Sequence, residues 1–335
     1  TVSTLGIAFI GIGAPLKIHP GFTAGVLVAG AFCGSNISPL SGTTNLAASV
    51  GEISIYKHIK SLLTTDIPAW AICLILYTFL GLNSKNVSLG AVHQMMAGLQ
   101  NGFWISGWAL LPVLLLIVLA IFQVPAIPSL GLGSLFAVVL GWIHAPKTSL
   151  TTITNTIMTG YVSHTGDKTI DTLLSKGGIS SMLTSLALII FALALGGLLI
   201  KFNIISAIIN HLTGIVKTPG RLAFSTALTC IGVNLLVGEH YLAIILPGQS
   251  FLPSFDKLGL KRVDLTRILN DAGAAVNAIV PWSVSGVFIA STLQINPLNF
   301  IPWAFFPFFV TILTIIAGML VKVPIKSPAA NLATE

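Results

Sequence analysis

The sequence predicts an all-α, polytopic membrane protein with inverted repeats and broken or re-entrant helices. Three observations predict it. Hydrophobic residues make up 54% of the 335-residue chain and charged residues only 7%, with a mean hydropathy of +0.95. An ordinary soluble domain carries about 25% charged residues, so 16 Lys and Arg with 9 Asp and Glu cannot clothe a water-facing surface of this length. Second, apolar stretches recur at lengths that match about 30 Å of hydrocarbon. Third, many of the 32 glycines and 17 prolines sit inside or beside those stretches, as they do in membrane helices. Alternating ten-residue segments are absent, which argues against an outer-membrane barrel. The net charge of +7 comes without a long basic run, so it points to cytoplasmic loops rather than to nucleic acid.

Full-length spans are expected at about 62–82, 105–124, 126–144, 182–202, 221–238 and 298–321. Three further apolar regions carry interruptions. Residues 21–50 contain Pro39 within a dense Ser/Thr/Asn patch; residues 241–256 contain Pro247 and Gly248; residues 268–293 contain Asp271, Asn277 and Pro281. Proline removes a backbone donor, and at membrane depth such breaks survive only where protein or a wet cavity satisfies the backbone. Residues 148–180 read as a polar outer loop with a short surface helix, and 203–217 as an amphipathic connector. The opening TVSTLGIAFIGIGAPL is mid-helix in character and has neither a basic n-region nor a cleavage site, so the chain is expected to lack its earliest helices.

The chain repeats itself weakly. PLS at 39–41 answers PWS at 281–283, and PAWA at 68–71 answers PWA at 302–304. This order predicts one transmembrane domain over 1–335 with related halves around 21–82 and 268–321. Basic residues orient them. With loop 257–267 in the cytoplasm, Lys57, Lys60, Lys201, Lys217, Arg221, Lys322 and Lys326 join Lys257, Lys261, Arg262 and Arg267 inside. Lys17, Lys85, Lys147, Lys168 and Lys176 fall outside. The two broken segments then enter from opposite sides, as in inverted-repeat transporters. Trp104, Trp108, Trp142 and Trp303 fall near the outer interface on the same count.

Chemistry must come from few residues. Asp167, Asp171, Asp256 and Asp264 read as solvated and Glu335 as a tail; Asp66 sits at the inner end of a span, where capping is one role among several. Glu52 reads as a first-turn acid before YKHIK. Asp271 stands inside an apolar segment, where a carboxylate costs a few kcal/mol unless it faces a cavity or partner; the alternative is a helix cap. Glu239 sits between two spans, beside Asn234 and His240, in a cavity or at an interface. Around the breaks, ISPLSGTTN and NAIVPWSVSG supply hydroxyls, amides and freed carbonyls. A dehydrated hard cation takes about six such oxygens, whereas half-helix N-termini would instead face an anion. Cys33, Cys73 and Cys230 have no disulfide or zinc spacing. No G-x-x-x-x-G-K-[ST] motif, metal-spaced histidines or Ser-His-Asp arrangement supports an ATPase or another enzyme. No cofactor is expected.

The stretch GAFCGSNISPLSGTTNLAASVGEISIYKHIKSLLTTDIPAW closely resembles the signature of the NhaC-type Na+/H+ antiporters, and GVNLLVGEHYLAIILPGQSF with LNDAG through IVPWSVSG is similar to that family's second half. The resemblance implies two inverted repeats whose broken helices meet at the midplane, and Na+/H+ exchange by alternating access with Na+ and H+ as cargo. It implies Asp271 and Glu239 as protonation and cation sites, with Ser38, Ser41, Thr43, Thr44, Asn45, Asn277 and Ser283 as neutral ligands; Na+ itself would sit on Asp271, Thr44 and Asn45. The sequence departs from the family at Ser35, Gly42 and Asn270, where acids are usual, at Asn36, where lysine is usual, and at Glu239, where aspartate is usual. The neutral pocket left at the first break suits an organic anion. Malate/lactate-type exchange is therefore the second expectation, and a degenerate non-transporting homologue the third. The expected partners are membrane lipid and small ions or small organic acids, with a homodimer left open, in a bacterial plasma membrane.

Overall fold

The computed structural model describes residues 2–13, 16, 18–82, 96–97, 106–122, 124, 126–166, 171, 174–175, 177–204, 207 and 218–320. Among them every element is helical, as the composition requires. The expectations for Lys17, Lys85, Lys168, Lys176, Lys217, Lys322, Lys326, Trp104, Asp167 and Glu335, and for most of the 203–217 connector, lie outside the described residues. The chain divides into two compact units, one of Thr1–Gly13, Ile18–Asn86 and Thr184–Glu335, the other of Ala14–Lys17 and Val87–Leu183.

The helices are α1 (Val2–Gly13), α2 (Pro20–Asn36), α3 (Gly42–Val50), α4 (Ile55–Leu82), α5 (Leu111–Ile121), α6 (Ala126–His144), α7 (Leu150–Thr159), α8 (Ile179–Lys201), α9 (Pro219–Val237), α10 (His240–Lys257), α11 (Arg262–Ile268), α12 (Val284–Leu293), α13 (Pro297–Phe300) and α14 (Phe305–Met319). Between α11 and α12 the chain winds as a π-helix over Leu269–Ala274 and a 3-10 helix over Ala275–Ile279. Helices α4, α8 and α9 are long and apolar enough to cross a membrane singly, and two bent pairs raise the count to five among the described residues.

The interruptions expected within 21–50, around Pro39, and within 268–293, around Pro281, are breaks in the structure, at 37–41 and 280–283. The first separates α2 from α3; the second bends Arg262–Ile279 against Val284–Leu293 by 40°. Two expectations need correction. Residues 241–256 are not interrupted: α10 runs through Pro247 and Pro253. Each proline forfeits one backbone bond, but Pro247 and Gly248 are buried in tight packing, where a β-carbon on Gly248 would run into Val50 and Leu269. Conversely, 298–321 is not one rod. It turns by 52° between Pro297–Trp303 and Phe305–Met319, and the Tyr77 hydroxyl bridges that turn by donating to Trp303 O (2.6 Å) and accepting from Phe305 N (3.1 Å). A β-carbon on Gly21 or Gly25 would strike the main chain of Asn299 or Trp303, so these two glycines let α2 lie directly on that segment. Trp303 itself packs edge-on against Phe22 at 5.4 Å.

In the second unit, α7 is a short exposed helix within the polar 148–180 stretch, capped by Ser149 accepting from Thr152 N. In the first unit, three apolar clusters surround the irregular 269–279 winding. One joins α9, α10 and α11 to Leu269 and Ala272; one joins α1, α2 and α12 to Phe300; one joins α2 and α4 to Ala275, Phe306 and Val310. Burial on every side places the winding, and Asp271 within it, away from lipid.

Candidate functional site

Asp271 is fully buried. It lies nine residues past the start of α11, inside the π-helical turn, so it is not a helix cap. One carboxylate oxygen accepts from Asn36 Nδ2 at 3.2 Å and the other from Thr65 Oγ1 at 2.8 Å. The same Asn36 nitrogen reaches Asp66 Oδ1 at 3.5 Å. Two carboxylates thus share one neutral amide, with Asn36 and Asp66 each 2% exposed. Among the described residues Asp66 Oδ2 has no hydrogen-bond partner, while the buried Thr314 hydroxyl faces Asp271 as a long, loosely placed donor. Both side-chain atoms of the buried Asn270 are also unpartnered. Arg267, one turn before Asp271, is held by Asp264 at 3.0 Å and Ser61 at 3.2 Å. Buried polar atoms are almost always paired, and the concentration of open oxygens around two acids is the outstanding chemical feature of this unit.

Asp66 is the main residue that the sequence reading missed. Its expected place at a span end rests on a helix beginning near 62. Helix α4 begins at Ile55, because the basic-aromatic YKHIK stretch is helical, and Asp66 lies in the interior, two residues before Pro68. An acid beside a proline in a 28-residue apolar helix was the available signal. Asn36, the last residue of α2, holds the pair to the first break.

The neutral residues of that break serve its backbone. Thr44 Oγ1 donates to Asn36 O (3.0 Å) and Ser35 O (3.2 Å). Asn45 Nδ2 donates to Pro39 O (2.7 Å) and Ser41 O (2.8 Å). Ser38 Oγ accepts from Leu40 N, and the hydroxyls of Ser35, Ser41 and Thr43 form a chain at 3.0–3.1 Å. Thr44 is buried and Asn45 exposed. Of the three residues expected to hold Na+, Asp271 and Thr44 are brought near one another through Asn36; Asn45 faces outward.

The other expected residues gather in a second network. Asn277 Nδ2 donates to Asn234 Oδ1 (2.8 Å) and Gly238 O (3.2 Å), and its Oδ1 accepts from Ser285 N (3.0 Å). Ser283 Oγ donates to Asn277 O (2.5 Å) and accepts from Gly286 N (2.9 Å). Asn234 also donates to Gly273 O (2.6 Å), while Thr311 Oγ1 reaches Asp271 O (3.0 Å). The carbonyls freed by irregular winding are thereby satisfied. Gly238 takes a left-handed φ of +74° to end α9, a conformation glycine adopts without strain. Glu239 is buried and caps α10 by accepting from Leu242 N (2.9 Å), with His240 Nδ1 at 3.5 Å. It stands in this network, not in the Asp66–Asp271 pair. On the Ser285 side of the network, Ser285 and Val284 join Val2, Ala31, Phe32, Phe288 and Ile289 around a mostly apolar cavity of about 420 Å³.

The acids read as solvated or terminal fall elsewhere. Glu52 and Asp256 flank Arg262, with Asp256 gripping the guanidinium at 2.8 and 3.0 Å. Asp171 accepts from Ser163 and Thr165. The three cysteines are unpaired. Among the described residues no cluster of three or more His, Cys, Asp and Glu side chains could hold a resident metal.

Broken apolar helices around a buried pair of acids define a membrane protein of the ion-coupled transporter class. The chain belongs to the Na+/H+ antiporter family, whose family model matches residues 13–321. It is 38% identical to the Na+/H+ antiporter NhaC of Bacillus subtilis, over 96% of this chain and 72% of that protein, and 37% identical to NhaC of Alkalihalophilus pseudofirmus, over 96% and 69%. It is 34% identical to the malate-2H+/Na+-lactate antiporter of Bacillus subtilis, over 95% and 68%. No solved structure matches it.

Proposed function

We propose that this chain is a secondary antiporter of a bacterial plasma membrane that exchanges Na+ for protons by alternating access, with Asp271 and Asp66 as the shared proton and cation site. The observation that carries this reading is the pair itself. Two buried carboxylates bridged by one neutral amide need positive charge, and protons or a monovalent cation supply it in turn. Competition for the same oxygens is what couples the two fluxes. The membrane potential adds about 2.3 kcal/mol per charge moved per 100 mV.

The same observation weighs against the organic-acid reading. A malate or lactate carboxylate would meet two like charges, and the terminal nitrogens of Arg267 are engaged by Asp264 and Ser61, which leaves its Nε as the one open donor of that side chain. The groups of the pair also stand at hydrogen-bond distance, 2.8–3.5 Å, which suits exchange of an ion for protons rather than entry of a multi-atom substrate. On this reading Thr44 positions Asn36, Asn277 and Ser283 shape the second break, and Glu239 holds the α9–α10 turn.

The test uses everted membrane vesicles carrying the full chain and a dye that reports internal pH. Addition of Na+ or Li+ is expected to dissipate an imposed proton gradient. A response to malate or lactate with none to Na+ or Li+, at any pH, transfers the reading to organic-acid exchange.

A further inference from the structure

We propose that Asn36 is the specificity-determining residue of the acid pair, an amide that gives its N–H groups to Asp66 and Asp271 when no cation is bound and its carbonyl oxygen to the cation when one enters. This rests on the reading of the pair as the ion site.

A bare cation between two carboxylates takes about six oxygens. Asp271 and Asp66 bring carboxylate oxygens, one of which, Asp66 Oδ2, has no hydrogen-bond partner. The Thr65 hydroxyl donates to Asp271, and the buried Thr314 hydroxyl faces it more loosely. These open oxygens suit a cation, yet Asn36 presents an N–H to the same place, 3.2 Å from one acid and 3.5 Å from the other. An N–H cannot ligate a cation and would repel it. An asparagine amide carries both donor and acceptor on one planar group, and its terminal torsion is broad and two-fold. Rotating it exchanges nitrogen for oxygen at nearly the same point, with no motion of the helix.

The anchor for that rotation is built in. Asn36 ends α2, and its main-chain carbonyl is fixed by the Thr44 hydroxyl at 3.0 Å across the break. The side chain therefore turns while its Cα stays. In the cation-free state the N–H groups take part of the charge that the acids bear; in the loaded state the amide oxygen adds a neutral ligand without adding charge. Asn36 thereby favours a small hard cation that accepts an amide oxygen at short range, and its loss should change which alkali ion is preferred.

The experiment measures the Na+ and Li+ concentrations that give half-maximal exchange, across pH, in everted vesicles carrying the full chain. For Asn36→Leu, which keeps the approximate shape, the half-maximal Na+ concentration is expected to rise about tenfold, one ligand's worth of free energy. The maximal rate should be largely retained, the Na+/Li+ preference altered and the pH profile displaced. Asn36→Gln, which keeps the amide, is expected to recover part of the Na+ affinity. Asn36→Asp keeps an oxygen but removes the donor; it should retain Na+ response while displacing the pH profile. Unchanged half-maximal concentrations and preference in Asn36→Leu overturn the proposal. So does a fall in rate and thermal stability without a change in preference, seen in both Asn36→Leu and Asn36→Gln. If Asn36→Leu does not reach the membrane folded, the Gln and Asp variants are judged by the same two criteria. Asp271→Asn with full exchange would instead overturn the ion-site reading itself, so the two failures are distinct.

Discussion

The Asp66–Asp271 pair and the Asn234–Asn277 network meet the same irregular winding, which carries Asp271 and Asn277 against Asp66 of α4 and Asn234 of α9, and both answer a broken helix with buried polar side chains. They differ in saturation. Around Asn277 the amides and hydroxyls meet partners, and only His240 Nδ1 beside Glu239 is left without one among the described residues: the Asn277 amide nitrogen serves Asn234 and Gly238, its amide oxygen serves Ser285, and Ser283 closes onto the main chain. Around Asp271 one amide is divided between two acids, and among the described residues Asp66 Oδ2 is left open. A saturated network of amides and hydroxyls fixes a conformation. An unsaturated charged one is held together by what binds it. Polarity at a membrane break is therefore not itself the mark of a transport site; an unmet hydrogen-bonding or ligating oxygen beside a charge is.

The largest effect should fall on the acids. Asp271→Asn and Asp66→Asn each remove a group that alternates between proton and cation, so Na+-driven alkalinisation in vesicles is expected to drop to the background of vesicles without the chain. Asp271→Asn should be the more severe, because Asp271 is bound by both Asn36 and Thr65. Full exchange in Asp66→Asn would reduce the pair to a single acid and break the comparison at its first term.

The next effect is one of stability. Asn277→Ala leaves Asn234 Oδ1 and Ser285 N without their partner and opens the turn at Gly238. A buried group left unsatisfied costs about 1–3 kcal/mol, so thermal denaturation in detergent should begin at clearly lower temperature. If the half-maximal Na+ concentration moves instead while the melting curve stays, the amide network belongs to the ion site, as the resemblance to NhaC-type proteins implied for Asn277 and Ser283.

The same contrast explains what the sequence made legible. Composition and span lengths sufficed for the helical membrane class, because a bilayer demands long apolar helices whatever the details. The breaks around Pro39 and Pro281 were readable because polar and helix-breaking residues cluster there. The turn at Ala304 was not: IPWAFFPF is apolar throughout, and its stabiliser, Tyr77, lies more than 200 residues away. Proline misled in the opposite sense at 247, where tertiary packing carries α10 through. At the site, Asp271 stood out as an acid within an apolar segment. Asp66 did not, because its depth depends on where α4 begins. Asn36 could not be identified from one chain, since its meaning lies in touching residues 30 and 235 positions distant.

Asp171 extends the comparison to water. It too is a carboxylate in a polar setting, but it is filled: Ser163 Oγ donates at 2.8 Å, Thr165 N and Oγ1 at 2.7 Å, and Gly166 N at 3.3 Å. The backbone N–H and hydroxyl of Thr165, with Ser163 and Gly166, hold its carboxyl down at about 2, below the ordinary value of 3.8. Hydrogen bonds to the charged form favour that form. The sign follows from linkage: a depressed folded value contributes stability fully above about pH 4, and that contribution is lost as pH falls through about 2. The Thr165 and Gly166 amides should therefore be protected from hydrogen exchange at neutral pH and lose that protection between about pH 4 and pH 2, after correction for the intrinsic rate. In Asp171→Asn the neutral amide should leave them weakly protected at every pH, with Na+-driven exchange unaltered. A saturated acid that nonetheless governed transport would show that filled valence does not separate structural carboxylates from transporting ones.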